Sequence, residues 1–337
     1  MKIAVLGAGS IGAYLGGALT AAGGNVVMVG RARMAQRIAE HGLHLTDLQG
    51  RDHALQPAQI DYVQDPAALR DADLILVTVK SADTEVAARA IAEHTAGSGD
   101  KALVVSFQNG IGNADTLRAA LPGHEVLGGM VPFNVVQMEG ARLHRGTEGE
   151  LMLEVSPSVE RWKPLFAAAG LPLIEHEDFR AVQWGKLLLN LNNPVNALSG
   201  VPLKEELSQR AYRRCVAALM EEATNIMRLA HIEPQKIARV SPKLLPTILR
   251  LPDFLFARIA GGMLRIDPEA RSSMWEDLQA GRRTEVDYIN GAVVRLAESL
   301  GHDAPVNRRT VELMRKAEQG AAALPGKMLE RELGLCR

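Results

Sequence analysis

Lys186, Asn190 and Asn193 fall at i, i+4 and i+7 within a leucine-rich stretch. If Phe179 to Asn193 is helical, as its pattern predicts, the three polar groups share one face. An ammonium there could donate a proton to a carbonyl oxygen, and neighbouring carboxamides could orient a hydroxyl or carboxylate. A solvated stripe on an amphipathic helix would look the same. The N-terminus offers a different chemistry. The apolar run Ile3 to Leu6 leads into Gly7-Ala8-Gly9-Ser10-Ile11-Gly12, and an Ala/Leu/Gly-rich segment follows. Strand, glycine turn and helix in that order form the context in which G-x-G-x-x-G binds a dinucleotide. Gly7 permits the tight turn, Gly9 lets a pyrophosphate approach the backbone, and Gly12 allows close packing of helix on strand. The helix start supplies N–H groups and a partial positive charge to the phosphates.

The next strand, Asn25 to Val29, bears on which dinucleotide. An acid usually ends this strand where NAD is bound, to hold the ribose hydroxyls. Here the chain continues Gly30-Arg31-Ala32-Arg33. A guanidinium suits a 2′-phosphate by charge and by its forked donors, so NADPH/NADP+ is the expected cofactor. Solvated loop arginines are the plainer reading of Arg31 and Arg33.

Two further clusters have structural explanations of their own. In Arg283 to Gly291, Thr284 fits a helix N-cap, with Glu285 and Asp287 complementing the helix dipole. Ser273-Met274-Trp275-Glu276 fits a capping box. A cap at a cleft can still contact a ligand. The 9 histidines show no paired spacing, so no metal site is expected. The 2 cysteines, Cys215 and Cys336, form neither a C-x-x-C motif nor a disulfide framework, which fits a reducing compartment. No nucleophile elbow or Walker sequence is present.

The elements that must position these groups change character along the chain. In the first half, Asp73–Val79, Ala102–Ser106, Val126–Val136 and Leu151–Val155 read as strands. Helical patterns lie near Asp83–His94 and Ala114–Ala120. This alternation predicts a doubly wound parallel sheet of Rossmann type. The loops Lys80-Ser81 and Gln108 to Gly112 then fall with the glycine turn beyond the strand ends, where such sheets bind ligands. The second half reads as helices: Phe179–Asn193, Glu205–His231, Met274–Ala280, Thr284–Leu300 and Asn307–Glu318. The expected organisation is an α/β domain over 1–176, an all-α domain over 177–320, and a tail or terminal helix over 321–337. A length of 337 residues suits two domains. A net charge of −1 gives no reason to expect nucleic acid or an anionic membrane as partner. The N-terminal apolar run is too short for a signal peptide. The most apolar later stretch, Leu244–Leu264, is interrupted by charges and prolines and is a poor membrane span. A cytoplasmic enzyme is expected.

Through about residue 318 the chain resembles the ketopantoate reductases (2-dehydropantoate 2-reductases), the NADPH enzymes of pantothenate biosynthesis. The segments that carry the resemblance occur in order: Gly7 to Gly12, Arg31, Thr78-Val79-Lys80, Gln108 to Gly112, Trp184-Gly185-Lys186-Leu187, Ser272-Ser273-Met274 and Thr284 to Gly291. The resemblance implies a Rossmann domain followed by a helical domain that often mediates a homodimer, with the active site in the cleft between them. It implies that Arg31 holds the 2′-phosphate and that Lys80 and Asn109 lie along the cofactor, Asn109 near its nicotinamide end and the substrate. It makes Lys186 the proton donor to the reduced ketone of a 2-oxo acid. Asn190 and Ser273 match substrate-binding positions, and Glu285 matches an acid beside the nicotinamide.

The substrate side departs from the family pattern. Position 194, where a second substrate asparagine is expected, is proline, so Asn193 or Asn196 must substitute; Asn193 keeps the helical stripe. The turn Ser199 to Leu203 lacks a further asparagine, and Pro234–Arg271 is longer than in compact members. Ketopantoate and another 2-oxo acid are therefore both open as substrate. A β-hydroxyacid dehydrogenase, or an NADPH-binding regulator without turnover, are the remaining readings.

Overall fold

The computed structural model of the protein describes residues 1–96, 102–236, 244–259 and 269–335. The chain divides into two compact units, Met1–Phe179 and Arg180–Arg337.

Among the described residues, the first unit holds twelve strands: β1 (Lys2–Leu6), β2 (Asn25–Val29), β3 (Leu43–Asp47), β4 (Asp52–Leu55), β5 (Asp61–Val63), β6 (Leu74–Val77), β7 (Leu103–Ser106), β8 (Val126–Met130), β9 (Val135–Gln137), β10 (Arg142–Arg145), β11 (Leu151–Glu154) and β12 (Leu173–His176). The helices α1 (Ser10–Ala21), α2 (Ala32–His41), α3 (Thr84–His94), α4 (Asn113–Ala120) and α5 (Lys163–Ala168) connect or flank them. The main sheet runs β12-β11-β8-β7-β6-β1-β2-β5. Strands buried on both faces read as continuous apolar runs. β1 and β6 do so: Ile3, Ala4, Val5, Ile75, Leu76 and Val77 are all at 0% exposure. From β1 the chain winds one way to β2 and β5, then returns to β6, β7 and β8 on the other side. The glycine turn after β1 thus lies at the reversal of strand order, where doubly wound sheets place their ligands.

The parallel sheet expected of the first unit is present, with β11 running antiparallel to β8 among otherwise parallel neighbours. One expectation is corrected here. The stretch Val126–Val136 is not one strand. It ends as β8 at Met130, and Val135 begins β9 in a separate four-stranded sheet, β4-β3-β10-β9. Pro132, which cannot donate to a ladder, lies between the two.

The second unit holds α6 (Phe179–Asn190, whose first residue belongs to the first unit), α7 (Asn192–Ser199), α8 (Leu203–Ser208), α9 (Arg210–Leu229), α10 (Leu245–Leu249), α11 (Asp253–Ile259), α12 (Ser273–Gln279), α13 (Val286–Ser299), α14 (Pro305–Glu318) and α15 (Gly326–Glu332). The helix expected over Phe179–Asn193 breaks at Leu191. Pro194 has no N–H for the carbonyl of Asn190, and its ring crowds that carbonyl. The pattern Glu205–His231 likewise divides, at Gln209. Residues 321–335 are ordered: Tyr212 donates to Leu324 O at 3.1 Å, Leu324 N–H donates to Leu198 O at 2.8 Å, and α15 packs along α9. Cys215 is buried; Cys336 and residues 260–264 of the apolar stretch lie outside the described residues. No described helix is long and apolar enough to cross a membrane.

Candidate functional site

In the first unit, the glycine turn is shaped by contacts that only glycine allows. Gly7 has φ +96°, and a Cβ on it would lie 2.5 Å from Val79 N. A Cβ on Gly12 would lie 2.8 Å from Gly7 O. Both glycines therefore permit close approach of β1, α1 and the end of β6. Gly9 differs. Its Cβ would meet nothing nearer than Gly7 O at 3.9 Å, and the residue is exposed. The turn thus keeps an open face toward which α1 directs its first N–H groups, and this cradle fits a dinucleotide pyrophosphate.

Arg31 follows β2 by two residues, exposed, with its guanidinium 3.5 Å from Asp83. Tyr62 on β5 joins this place to the glycine turn: its hydroxyl donates to Ala8 O at 2.8 Å. Burial pushes the Tyr62 phenol up to about 12, opposed by the backbone N–H and charge of Arg31. β5 has only three residues, too few for a strand pattern to single out Tyr62.

Lys80 and Asn109 are half-buried on neighbouring loops at the ends of β6 and β7. A buried polar cluster locks those loops together. Ser81 Oγ donates to Asn109 O at 2.9 Å, and Asn113 Nδ2 donates to Ser81 Oγ at 3.1 Å. Thr84 Oγ1 donates to Asn113 Oδ1 at 3.0 Å. Gln108 Nε2 donates to Thr84 Oγ1 at 2.8 Å and to Val79 O at 3.1 Å, while its Oε1 accepts from Ser106 at 2.8 Å. Such satisfied networks fix geometry because breaking any member strands a buried polar group. Sequence reasoning placed Gln108 on a candidate loop but gave no part to Thr84, Ser106 or Asn113.

In the second unit, Lys186 is half-buried on α6, a helix on which Trp184, Leu187 and Leu188 are buried. Burial pushes its ammonium down to about 8, and the negative charge of Glu285 opposes that shift. The structure thus brings Lys186 and Glu285 into electrostatic reach, although 99 positions separate them (285 minus 186). Glu285 sits at the start of α13. The cap expected from Thr284 takes another form: its hydroxyl donates to Glu318 at 2.7 Å, which ties α13 to α14.

Asn190 ends α6 and Asn193 lies on α7, so the expected single stripe is split by the Leu191 break. Asn193 is half-exposed, whereas Asn196 is wholly buried. Both ends of the Asn196 amide are engaged: Nδ2 donates to Val201 O at 3.0 Å and Oδ1 accepts from Ser272 N–H at 2.8 Å. The expected capping box does not form, because the helix starts one residue earlier and Trp275, not Glu276, stands three residues after the cap. Ser272, not Ser273, caps α12, accepting from Trp275 N–H at 3.2 Å. Ser273 is exposed. Among the described residues, no group of three or more His, Cys, Asp or Glu could hold a metal ion.

Comparison with known proteins gives a consistent pattern. Residues 3–157 match the family model described as ketopantoate reductase PanE/ApbA. Residues 178–318 match the model described as ketopantoate reductase PanE/ApbA C terminal. The 2-dehydropantoate 2-reductase of Archaeoglobus fulgidus is 28% identical over 325 residues, covering 95% of this chain and 98% of that protein. The crystal structure of a PanE/ApbA family ketopantoate reductase from Ralstonia eutropha superposes with TM-score 0.79 at 32% identity, covering 95% of this chain and 99% of that one. D-mandelate dehydrogenase, solved with NADH and anilino(oxo)acetate, shares the fold with TM-score 0.76 at 22% identity, covering 95% of this chain and 99% of that one.

Proposed function

We propose, because the chain belongs to the ketopantoate reductase PanE/ApbA family, that it reduces the 2-oxo group of 2-dehydropantoate to the hydroxyl of pantoate with NADPH. The observation that carries this reading is Lys186, a half-buried ammonium on α6 pushed down to about 8 and opposed by Glu285. Such a group gives up its proton near neutral pH, as the acid in a carbonyl reduction must. The reduced nicotinamide, when bound, supplies the hydride to C2 of the oxo acid. Lys186 Nζ stabilises the negative charge that develops on the ketone oxygen and delivers a proton to it. Glu285 keeps the lysine charged in surroundings that disfavour charge.

The pyrophosphate is assigned to the Gly7–Gly12 turn and the start of α1, and the 2′-phosphate to Arg31. Lys80 and Asn109, fixed by the buried cluster beneath them, are assigned to the cofactor, with Asn109 also toward the substrate. Asn190, Asn193 and Ser273 are assigned to the oxo acid. Asn193 is preferred to Asn196 because the amide of Asn196 is already spent within the protein. The working unit is proposed to be a cytoplasmic homodimer, which light scattering on the purified protein tests.

One observation favours a second reading, reduction of a different 2-oxo acid. Pro194 ends α6 and moves Asn193 onto α7, so the polar groups facing the substrate differ from the family pattern. The deciding experiment follows NADPH oxidation with ketopantoate beside 2-oxo acids of graded size, aryl members included. A kcat/KM for ketopantoate well above the rest supports the first reading, at about 10⁴ M⁻¹s⁻¹ or more. A faster panel member transfers the protein to the second. NADPH binding with no turnover across the panel overturns both.

A further inference from the structure

Glu206 is a buried carboxyl to which the reading above gives no task. It lies on α8 at 0% exposure. Asn192 Nδ2 approaches its Oε2 at 3.5 Å, and Asn196 is its second amide partner. Asn196 in turn receives the N–H of Ser272. Ser272 Oγ donates to Asn193 O at 3.0 Å, and two further bonds secure the same place. Leu203 N–H donates to Ala270 O at 2.9 Å, and Arg271 donates to Gly200 O at 2.8 Å. The segment entering α12 is thus fastened to the corner between α7 and α8, with Glu206 behind it. Ser273, the next residue, is exposed.

We propose that Glu206 is a positioning residue: as a neutral acid it braces Asn192 and Asn196, and through them sets where Ser273 meets the carboxylate end of the 2-oxo acid. The part played by Ser273 rests on the function proposed above. Neutrality follows from the surroundings. Among the described residues Glu206 has no cation beside it, and its Oε1 and the Oδ1 of Asn192 are buried acceptors without a donor. A proton on the carboxyl adds the missing donor, and a buried acceptor left unsatisfied is costly. Burial also pushes the group up to about 8, against the pull of the two amides.

The test compares Glu206→Gln with Glu206→Leu. Glutamine keeps the shape, an acceptor and a donor; leucine keeps only the bulk. Amide hydrogen exchange at Ser272 and Trp275 reads the bracing directly, without any substrate. Steady-state kinetics read its consequence. In E206Q, exchange and the KM for the oxo acid stay near those of the unmodified protein. In E206L, exchange at Ser272 and that KM each rise about tenfold, the scale of one lost buried hydrogen bond, while kcat and NADPH affinity hold. If E206L does not fold, Asn192→Ala at a half-exposed position shows the same changes to a smaller degree. Unchanged exchange in E206L, or in N192A where that variant replaces it, overturns the proposal. Faster exchange with an unchanged KM overturns the link to substrate. A protein that reduces no 2-oxo acid refutes the function instead, and exchange still decides whether Glu206 holds Ser272 and Ser273 in place.

Discussion

Lys186 carries the chemistry only while it is protonated. Its folded pKa is pushed down from the ordinary lysine range to about 8, first by burial. The reductive kcat/KM should therefore be level on the acid side of about pH 8 and fall as the ammonium is lost above it; a pH-rate profile checks this. Replacing Lys186 with Ala should lower kcat by about 10²–10⁴, the usual worth of a positioned acid. Fluorescence titration should find NADPH binding nearly unchanged in that variant, and an equal loss of both would make Lys186 structural. Glu206 shows the opposite sign. Its folded pKa is raised to about 8, so its contribution to stability is complete below the unfolded carboxyl value and is lost as pH rises through about 8. Urea unfolding of Glu206→Gln should accordingly lose less stability between pH 5 and 8 than the unmodified protein, by on the order of a few kcal/mol.

At the level of elements, the β1–α1 turn separates two uses of glycine. Gly7→Ala should destabilise the protein by about 1–3 kcal/mol, because φ +96° is strained for alanine and its Cβ would press on Val79 N. Gly9→Ala meets open space, so the melting temperature should hold while NADPH affinity falls. Thermal melts paired with NADPH titrations distinguish the two outcomes. The motif alone made the turn legible, since its spacing already requires a strand before it and a helix after it. The α6–α7 break was harder to foresee. Leucine periodicity runs on past Leu191, and the lost hydrogen bond at Pro194 decides the matter. The shifted cap of α12 has a similar cause: Ser272 and Ser273 are both good caps, and the bond from Ser272 to Asn193 O selects the first.

Across the whole molecule, the residues assigned to cofactor fall mainly in Met1–Phe179, and those assigned to the oxo acid mainly in Arg180–Arg337. Kinetic effects should separate accordingly. Arg31→Ala should raise the KM for NADPH while leaving that for NADH and the oxo acid almost unchanged. Asn190→Ala should raise the KM for the oxo acid and spare NADPH. Steady-state kinetics with both cofactors would reveal a crossover if either assignment is misplaced. By itself the sequence determined the Rossmann plan, the helical second half and the candidate residues, because glycine spacing, apolar runs and helical periodicity are local properties. It left unmarked the second sheet, whose strands are short and partly exposed. Only the tertiary structure decided which distant groups share an environment. Glu285 beside Lys186, Tyr62 clasping the glycine turn, Asn113 joining two loops and Glu206 behind Ser272 all depend on packing between elements. Burial and charge proximity, which set these groups' protonation and orientation, exist only once the chain has folded.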